Sequence, residues 1–194
     1  MNNVKFLLTY RYAEIIHDLT IEFTQKYILS NLSSLRNLSL DRRPDYRTAD
    51  QMNQAARSGK QNIVEGVGQE KTSSKGLIKL LGVANASFEE LLADYEDFLR
   101  QNKMVICPKT DPRVAEFKKL GYRLSDLRNL SNLGELKEKP KLIGDPETDA
   151  NFLLTLCHIE TFLLSRQIKA AEEKFIAEGG YSENLFKQRL QNRQ

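Results

Sequence analysis

The chain has 194 residues, 40% of them hydrophobic, and a formal net charge of +3. This length and apolar content are sufficient for one domain of ordinary size and exclude a globally disordered chain. The weak positive charge permits an acidic partner such as nucleic acid without requiring one.

The two cysteines, Cys107 and Cys157, are isolated and show no CxxC spacing. This argues against a disulfide framework and favours reduced thiols in a cytosol. No run approaches the roughly 18 apolar residues that a membrane span needs, and the N-terminus lacks the pattern of a secretory signal. We therefore expect a soluble cytoplasmic protein with no membrane partner.

The first predicted helix covers residues 10 to about 30. Its apolar side chains recur every three or four residues, which places them on one face of a helix. Residues 32–40 are rich in serine and asparagine, so we expect this continuation to fray. Pro44 then breaks the chain before the next helix.

The second predicted helix begins at Thr48, with Gln51 at the spacing of a capping box. Gly59 lies in the middle of the helix, where glycine lowers helix stability by about 1 kcal/mol relative to alanine. We infer that close approach to a facing helix compensates for this loss. Gly66 and Gly68 are expected to end the helix. The inward face consists of small and medium side chains: Met52, Ala55, Ala56, Gly59, Ile63 and Val67.

The third predicted helix is capped by Ser73 or Ser74 and runs to about Arg100. On its far side, Gly82, Ala86 and Ala93 form a stripe of small residues. Either another helix lies against this stripe, or these residues are there as good helix formers. The inward stripe steps by three or four residues along the helix: Leu77, Leu81, Ala84, Phe88, Leu91, Tyr95 and Leu99.

Residues 103–147 contain four prolines and interrupt the helical pattern. Within this segment we predict a helix over 113–133, in an insertion too short to bury a core of its own. The last long helix spans 146–177, where Leu154 and Phe162 fall outside the main apolar arc and imply a second buried side. The sequence thus predicts an all-α, antiparallel up-and-down four-helix bundle over 1–180, with the insertion between the third and fourth helices and a C-terminal suffix over 181–194.

No residue set supports catalysis. The glycines of 66–72 faintly resemble a phosphate-binding loop, but Glu70 precedes the lysine and the segment follows a helix. The only histidines, His17 and His158, lie on different predicted helices, with no spacing that implies further metal ligands. Five acidic residues between 89 and 97 are interpreted as a solvated face. We predict no enzyme, cofactor or metal site.

Basic residues are concentrated around the turn between the second and third helices. Between Arg42 and Lys79 there are eight basic and four acidic residues. A positive patch repeated around a symmetric oligomer would bind phosphate backbones better than one subunit. Ordinary solvation, or charge pairing between subunits, would explain the same charges. The candidate nucleic-acid-binding residues are Arg57, Lys60, Lys75 and Lys79.

Residues 55–69, AARSGKQNIVEGVGQ, followed by 73–96, SSKGLIKLLGVANASFEELLADYE, resemble the bacterial "four helix bundle protein" family. Its members are small proteins encoded in intervening sequences of 23S ribosomal RNA genes. The matching core is 62–66 and then Ala84, Ser87, Glu90 and Leu91. The accessory proteins of diversity-generating retroelements are similar in fold.

The resemblance implies a four-helix bundle that assembles as a ring, typically a pentamer. Relatives in retroelements bind nucleic acid and a reverse transcriptase through a basic surface. Most members have no established biochemical role, and no catalytic residue carries over. The chain departs from the family in the insertion over 103–147 and in the suffix beyond Gly180.

Two hypotheses of function follow. In the first, the protein is a non-enzymatic homo-oligomer that binds RNA or DNA through its basic surface. In the second, it is an oligomeric scaffold that recruits a protein partner without nucleic acid.

Overall fold

The computed structural model describes residues 4–30, 44–70 and 72–192, and the regular elements within these ranges are helical. The prediction of an all-α protein is confirmed. The expected fraying over 32–40 lies outside the described residues, and none of the described helices is long and apolar enough to cross a membrane. The α-helices are α1 (Leu8–Phe23), α2 (Tyr46–Gln69), α3 (Ser74–Gln101), α4 (Pro112–Leu124), α5 (Pro146–Glu178) and α6 (Tyr181–Gln191).

Short irregular turns extend these helices. A 3-10 turn over Val4–Phe6 precedes α1, and a π-helical turn over Thr24–Leu29 continues it. A second 3-10 turn, Leu127–Asn129, follows α4. The first predicted helix, residues 10 to about 30, therefore corresponds to α1 together with its π-helical continuation.

Side-chain caps fix where α2 and α3 begin. The predicted N-cap of α2, Thr48, is wrong because Asp45 occupies that position. Asp45 accepts a hydrogen bond of 3.0 Å from the Thr48 backbone amide and one of 2.7 Å from its hydroxyl. The serine cap of α3 is confirmed, since Ser73 Oγ accepts from the Gly76 amide at 2.9 Å.

The two glycines near the end of α2 do not terminate it, contrary to expectation. The helix continues to Gln69, and neither glycine adopts a positive φ. Gly66 is buried against α3, where an added Cβ would lie 3.3 Å from Leu80 Cβ. Its role is close packing between helices rather than a turn. Gly68 is exposed, with open space around its Cα.

Helices α1, α2, α3 and α5, called here the four long helices, pack in a closed cycle in which each contacts two others. Thr9 Oγ1 donates to Gln167 Oε1 at 2.9 Å, whereas Tyr27 OH donates to Asp149 Oδ2 at 2.6 Å. Because these bonds join opposite ends, α1 and α5 are antiparallel. The predicted inward faces of α2 and α3 are confirmed, since all of their residues are buried.

The middle of the α2–α3 hairpin is its closest contact. A Cβ on Gly59 would lie 2.5 Å from Phe88 Cε2, so the Phe88 ring occupies the space that a side chain would need. One residue earlier on each helix, Ser87 Oγ donates to Ser58 Oγ at 3.1 Å. The predicted close approach at Gly59 is confirmed.

Aromatic side chains fill the other end of the core. The Phe23 ring packs edge-on against Tyr95 and Phe98, with centroid distances of 5.2 and 4.9 Å. Such pairs contribute about 0.5–1.5 kcal/mol beyond their buried area. Tyr95 OH lies 2.9 Å from Thr20 Oγ1, which satisfies its polar atom inside the core.

The insertion packs onto α1 and α5 as part of the same core. Phe117 of α4 contacts Phe152 of α5 at a centroid distance of 5.7 Å, and Leu124 and Leu130 are buried. The predicted helix over 113–133 is wrong beyond Leu124. There Asn129 Nδ2 bonds the Leu124 carbonyl at 2.8 Å and the chain turns.

Two buried polar side chains near the start of α5 hold the two ends of the insertion. Asn151 Oδ1 accepts from the Cys107 amide at 2.7 Å, and its Nδ2 donates to the Val105 carbonyl at 2.8 Å. Asp149 Oδ1 accepts from the amides of Ile143 and Gly144, at 2.7 and 2.9 Å. The segments that enter and leave the insertion are therefore both hydrogen-bonded to the same turns of α5.

The C-terminal part behaves partly as predicted. Gly179, at φ 76°, ends α5, as expected for a glycine at a helix C-terminus. The predicted second buried side of α5 is right for Leu154, which is buried, and wrong for Phe162, which is 62% exposed. Helix α6 follows, and the structure describes none of its side chains as buried.

Two glycine substitutions test the packing of the hairpin. Gly59→Ala should lower the free energy of unfolding by about 2 kcal/mol or more, because the new methyl group overlaps the Phe88 ring. Gly82→Ala is the matched control on the exposed side of α3, where nothing lies within 4 Å. It should raise stability by about 0.5–1 kcal/mol through helix propensity. Urea unfolding measures both, and equal effects at the two sites would contradict the close approach.

Candidate nucleic-acid interface

The four predicted nucleic-acid-binding residues lie on the α2–α3 hairpin, spread across its width. Lys60 is half-buried at the edge next to α1, where its Nζ lies 3.2 Å from His17 Nδ1. Lys75 is exposed at the opposite edge, with its Nζ 5.7 Å from the centroid of the Phe175 ring of α5. These two ammonium groups are positioned by contacts within the chain.

Arg57 and Lys79 are exposed and form no ion pair or hydrogen bond within the described part of the chain. Lys79 lies near the level of Gly66, which packs on Leu77 and Leu80. Since Gly66 is nine residues beyond Arg57 on α2, the two cations are separated by roughly 14 Å along the hairpin. The structure thus brings the four residues to one hairpin without forming a compact cluster.

A surface of small side chains runs along the exposed side of the hairpin, from near Arg57 to beyond the level of Lys79. Gly68 and Gly82 have open space where a Cβ would be, and Val64 and Val83 are 37% and 41% exposed. Together with the exposed Ala86, these residues are called here the small-residue face. The prediction that another helix lies against the outward stripe of α3 stays a prediction.

The sequence predicts that the acidic residues of α3 form a solvated face. This prediction does not hold for all of them. Asp97 is exposed and pairs with Arg100 at 2.7 Å, whereas Asp94 is partly buried. Burial, and then the nearby charges of Glu90 and Asp97, raise the pKa of Asp94 to about 6. This end of the hairpin therefore concentrates negative charge, opposite to the end that carries Lys75 and Lys79.

The buried ionisable groups do not resemble catalytic ones. Glu160 is 0% exposed, its carboxylate oxygens have no hydrogen-bond partner within the described chain, and burial raises its pKa well above the usual value. Burial also raises the pKa of the Cys157 and Cys107 thiols, which is the opposite of nucleophile activation. Where the structure describes the chain, no group of three His, Cys, Asp or Glu residues could hold a metal ion.

The glycine-containing segment over 66–72 is not a phosphate loop in its described part. Gly66 and Gly68 are helical residues of α2, and Gly66 is covered by α3. Their backbone amides thus take part in the helix and do not form a loop around an anion. Lys71 lies outside the described residues, as do Arg42 and Arg43.

Sequence reasoning missed a groove of about 610 Å³ between the insertion and α5. Its mouth carries Lys109 and Lys118 together with the exposed ring of Phe162. The one available signal was Phe162, an aromatic residue outside the main apolar arc of the helix. The sequence predicts this ring to be buried, whereas it is exposed.

Comparisons of the chain with protein-family models, curated proteins and solved structures gave no match. The resemblance to the four helix bundle protein family therefore stays a prediction carried by the hairpin residues alone.

The raised pKa of Asp94 predicts a pH-dependent stability. Its stabilising effect is complete below about pH 4 and is lost as the pH rises through about 6, because the folded state holds the proton more tightly than the unfolded state. Asp94→Asn should therefore stabilise the protein by about 1 kcal/mol at pH 7.5 and have little effect at pH 4. Urea unfolding at both pH values measures this. Glu65→Gln, an exposed carboxylate on α2, is the control, and an Asp94→Asn effect independent of pH would contradict the assignment.

Proposed function

We propose that the protein is a non-enzymatic homo-oligomer that binds RNA or DNA through the basic residues of its α2–α3 hairpin. The four long helices form an antiparallel up-and-down four-helix bundle, with the insertion between the third and fourth helices and α6 as a C-terminal extension. The observation that carries the proposal is the exposed small-residue face on the same hairpin as Arg57 and Lys79, both unpaired within the described residues.

The small-residue face supports self-association. Glycine, alanine and valine allow close approach of a second helix, and covering the exposed valines would remove apolar surface from water. The insertion packs on α1 and α5, so it leaves this side of the hairpin open. A ring of copies, which the family resemblance implies, would use this face as its interface.

Electrostatics support a nucleic-acid ligand. Exposed cations without acidic partners are available to neutralise phosphates and to release their counterions. Lys75 keeps its ammonium group exposed while the Phe175 ring restrains it, which lowers the entropy lost on binding. Symmetric copies would present these cations repeatedly, and the effective concentration of the second contact would then raise affinity.

A specific observation favours the alternative, an oligomeric scaffold for a protein partner. Helix α6 exposes three large apolar side chains, Leu185, Phe186 and Leu190. An amphipathic helix of this kind can lie in an apolar groove of another protein. The two functions differ in one observable, because the scaffold oligomerises without binding nucleic acid.

The oligomer is tested by sedimentation velocity. The wild-type chain should sediment as a closed oligomer, and Ala86→Glu should shift it to monomer, because an interface of small side chains cannot accept a buried charge. Ala115→Glu introduces the same change on the exposed side of α4 and should leave the oligomer intact. A monomeric wild-type protein would contradict the oligomer, and equal behaviour of the two variants would contradict the small-residue face as its interface.

The ligand is tested by binding a fluorescein-labelled RNA hairpin across salt concentrations. Arg57→Ala/Lys79→Ala should weaken binding about tenfold or more at low salt and flatten the log–log salt slope by about 2, one for each lost phosphate contact. Lys119→Ala/Lys169→Ala removes the same charge from α4 and α5 and is the control. Salt-independent binding, or no binding at low salt, argues against the nucleic-acid ligand and leaves the scaffold.

A further inference from the structure

A groove of about 610 Å³ lies between the insertion and α5, on a different side of the molecule from the hairpin's outer face. Its volume is in the range of sites that hold small organic groups. The floor is apolar and comes from both α4 and α5, through Val114, Leu154, Ile159 and Leu163. The site exists only because the insertion packs on α5.

One wall of the groove is fixed by a buried side chain. Asn151, only 1% exposed, bonds the backbone of Cys107 and Val105 at 2.7 and 2.8 Å. It also bonds the carbonyl of Glu147 at 2.9 Å within α5. This wall therefore needs no ordering when a ligand enters, which lowers the entropic cost of binding.

The mouth of the groove combines exposed aromatic rings with positive charge. Phe162 is 62% exposed and Tyr122 is 58% exposed. Lys109 and Lys118 have no ion pair in the part of the chain that the structure describes. Burial, and then the charges of Lys109 and Lys118, lower the pKa of His158 against the opposing effect of Glu96. A ligand that complements this mouth has a flat apolar part and a negative charge.

We propose that the groove binds one nucleotide of a single-stranded nucleic acid. The base stacks on Phe162 above the apolar floor, and the phosphate lies between Lys109 and Lys118. Stacking of bases on exposed aromatic rings beside lysines is the general way in which proteins hold single strands. The ligand class rests on the proposed function, but the site is separate from Arg57 and Lys79.

The polar atoms of the groove favour a base over an acyl chain. The Glu96 carboxylate can accept from an N–H group on the edge of a base, and the His158 ring can form one hydrogen bond to the same edge. Thr155 Oγ1 donates to the Asn151 carbonyl at 2.8 Å, which leaves its lone pairs free to accept. An acyl chain offers these atoms no hydrogen bond, whereas a base edge supplies donors and acceptors.

The test uses fluorescence anisotropy with labelled pentauridylate, a strand short enough to occupy the groove alone. Phe162→Ala should weaken binding about tenfold, since one stacked base is lost. Phe186→Ala removes an equally exposed ring, also 62%, from α6 and should have no effect. Because both rings are exposed, neither change should alter the thermal unfolding of the protein.

The two lysines at the mouth of the groove are tested by the same anisotropy measurement. Lys109→Ala/Lys118→Ala should weaken binding at low salt and flatten the salt slope by about 0.7, the value for one phosphate of a single strand. Lys139→Ala/Lys141→Ala removes two exposed lysines elsewhere in the insertion. It should change neither the affinity at low salt nor the salt slope.

The outcomes separate the two binding proposals. Loss of pentauridylate binding in the Phe162 variant, with full binding in Arg57→Ala/Lys79→Ala, establishes the groove even if the hairpin proposal fails. Equal loss in the Phe162 and Phe186 variants, or no binding by the wild-type protein, overturns it. Displacement of the strand by free uridine monophosphate at similar concentration overturns the strand as ligand and assigns the groove to a free nucleotide.

Discussion

The contact between Gly59 and the Phe88 ring determines how the α2–α3 hairpin is built. Since the ring occupies the space of a side chain, only glycine permits α2 to lie this close to α3. The bond between Ser58 and Ser87 fixes the register next to it. This register orients the small-residue face and the basic residues outward together. Any function assigned to the outer face of the hairpin therefore depends on a buried contact on its inner face.

Packing of the insertion divides the molecule into a covered side and an open side. Phe117 and Leu124 extend the core over α1 and α5, and the insertion supplies one wall of the groove. The other side, formed by α2 and α3, keeps its small residues exposed. This division separates the outer face of the hairpin from the groove. A substitution in one proposed binding region therefore does not contact the other.

Sequence periodicity predicted the helices and their buried stripes well, because a spacing of three to four residues places side chains on one face whatever packs against it. The N-cap of α2 and the role of Gly66 were wrong, because Asp45 competed with Thr48 for the cap and a helical glycine can serve packing as well as termination. The candidate cations were located on the correct elements. Their partners, such as His17 for Lys60, come from helices distant in sequence and could not be predicted.

The groove was beyond prediction for the same reason, since it arises where residues near 107 meet residues near 158. Asn151 and Asp149, two residues apart on α5, bond the outgoing and the returning ends of the insertion. A loop closed at one point has already lost the entropy of bringing its ends together, so its interior gains stability from each further contact. The insertion should accordingly open and close as one cooperative unit, and its amides should exchange with solvent at a common free energy of opening.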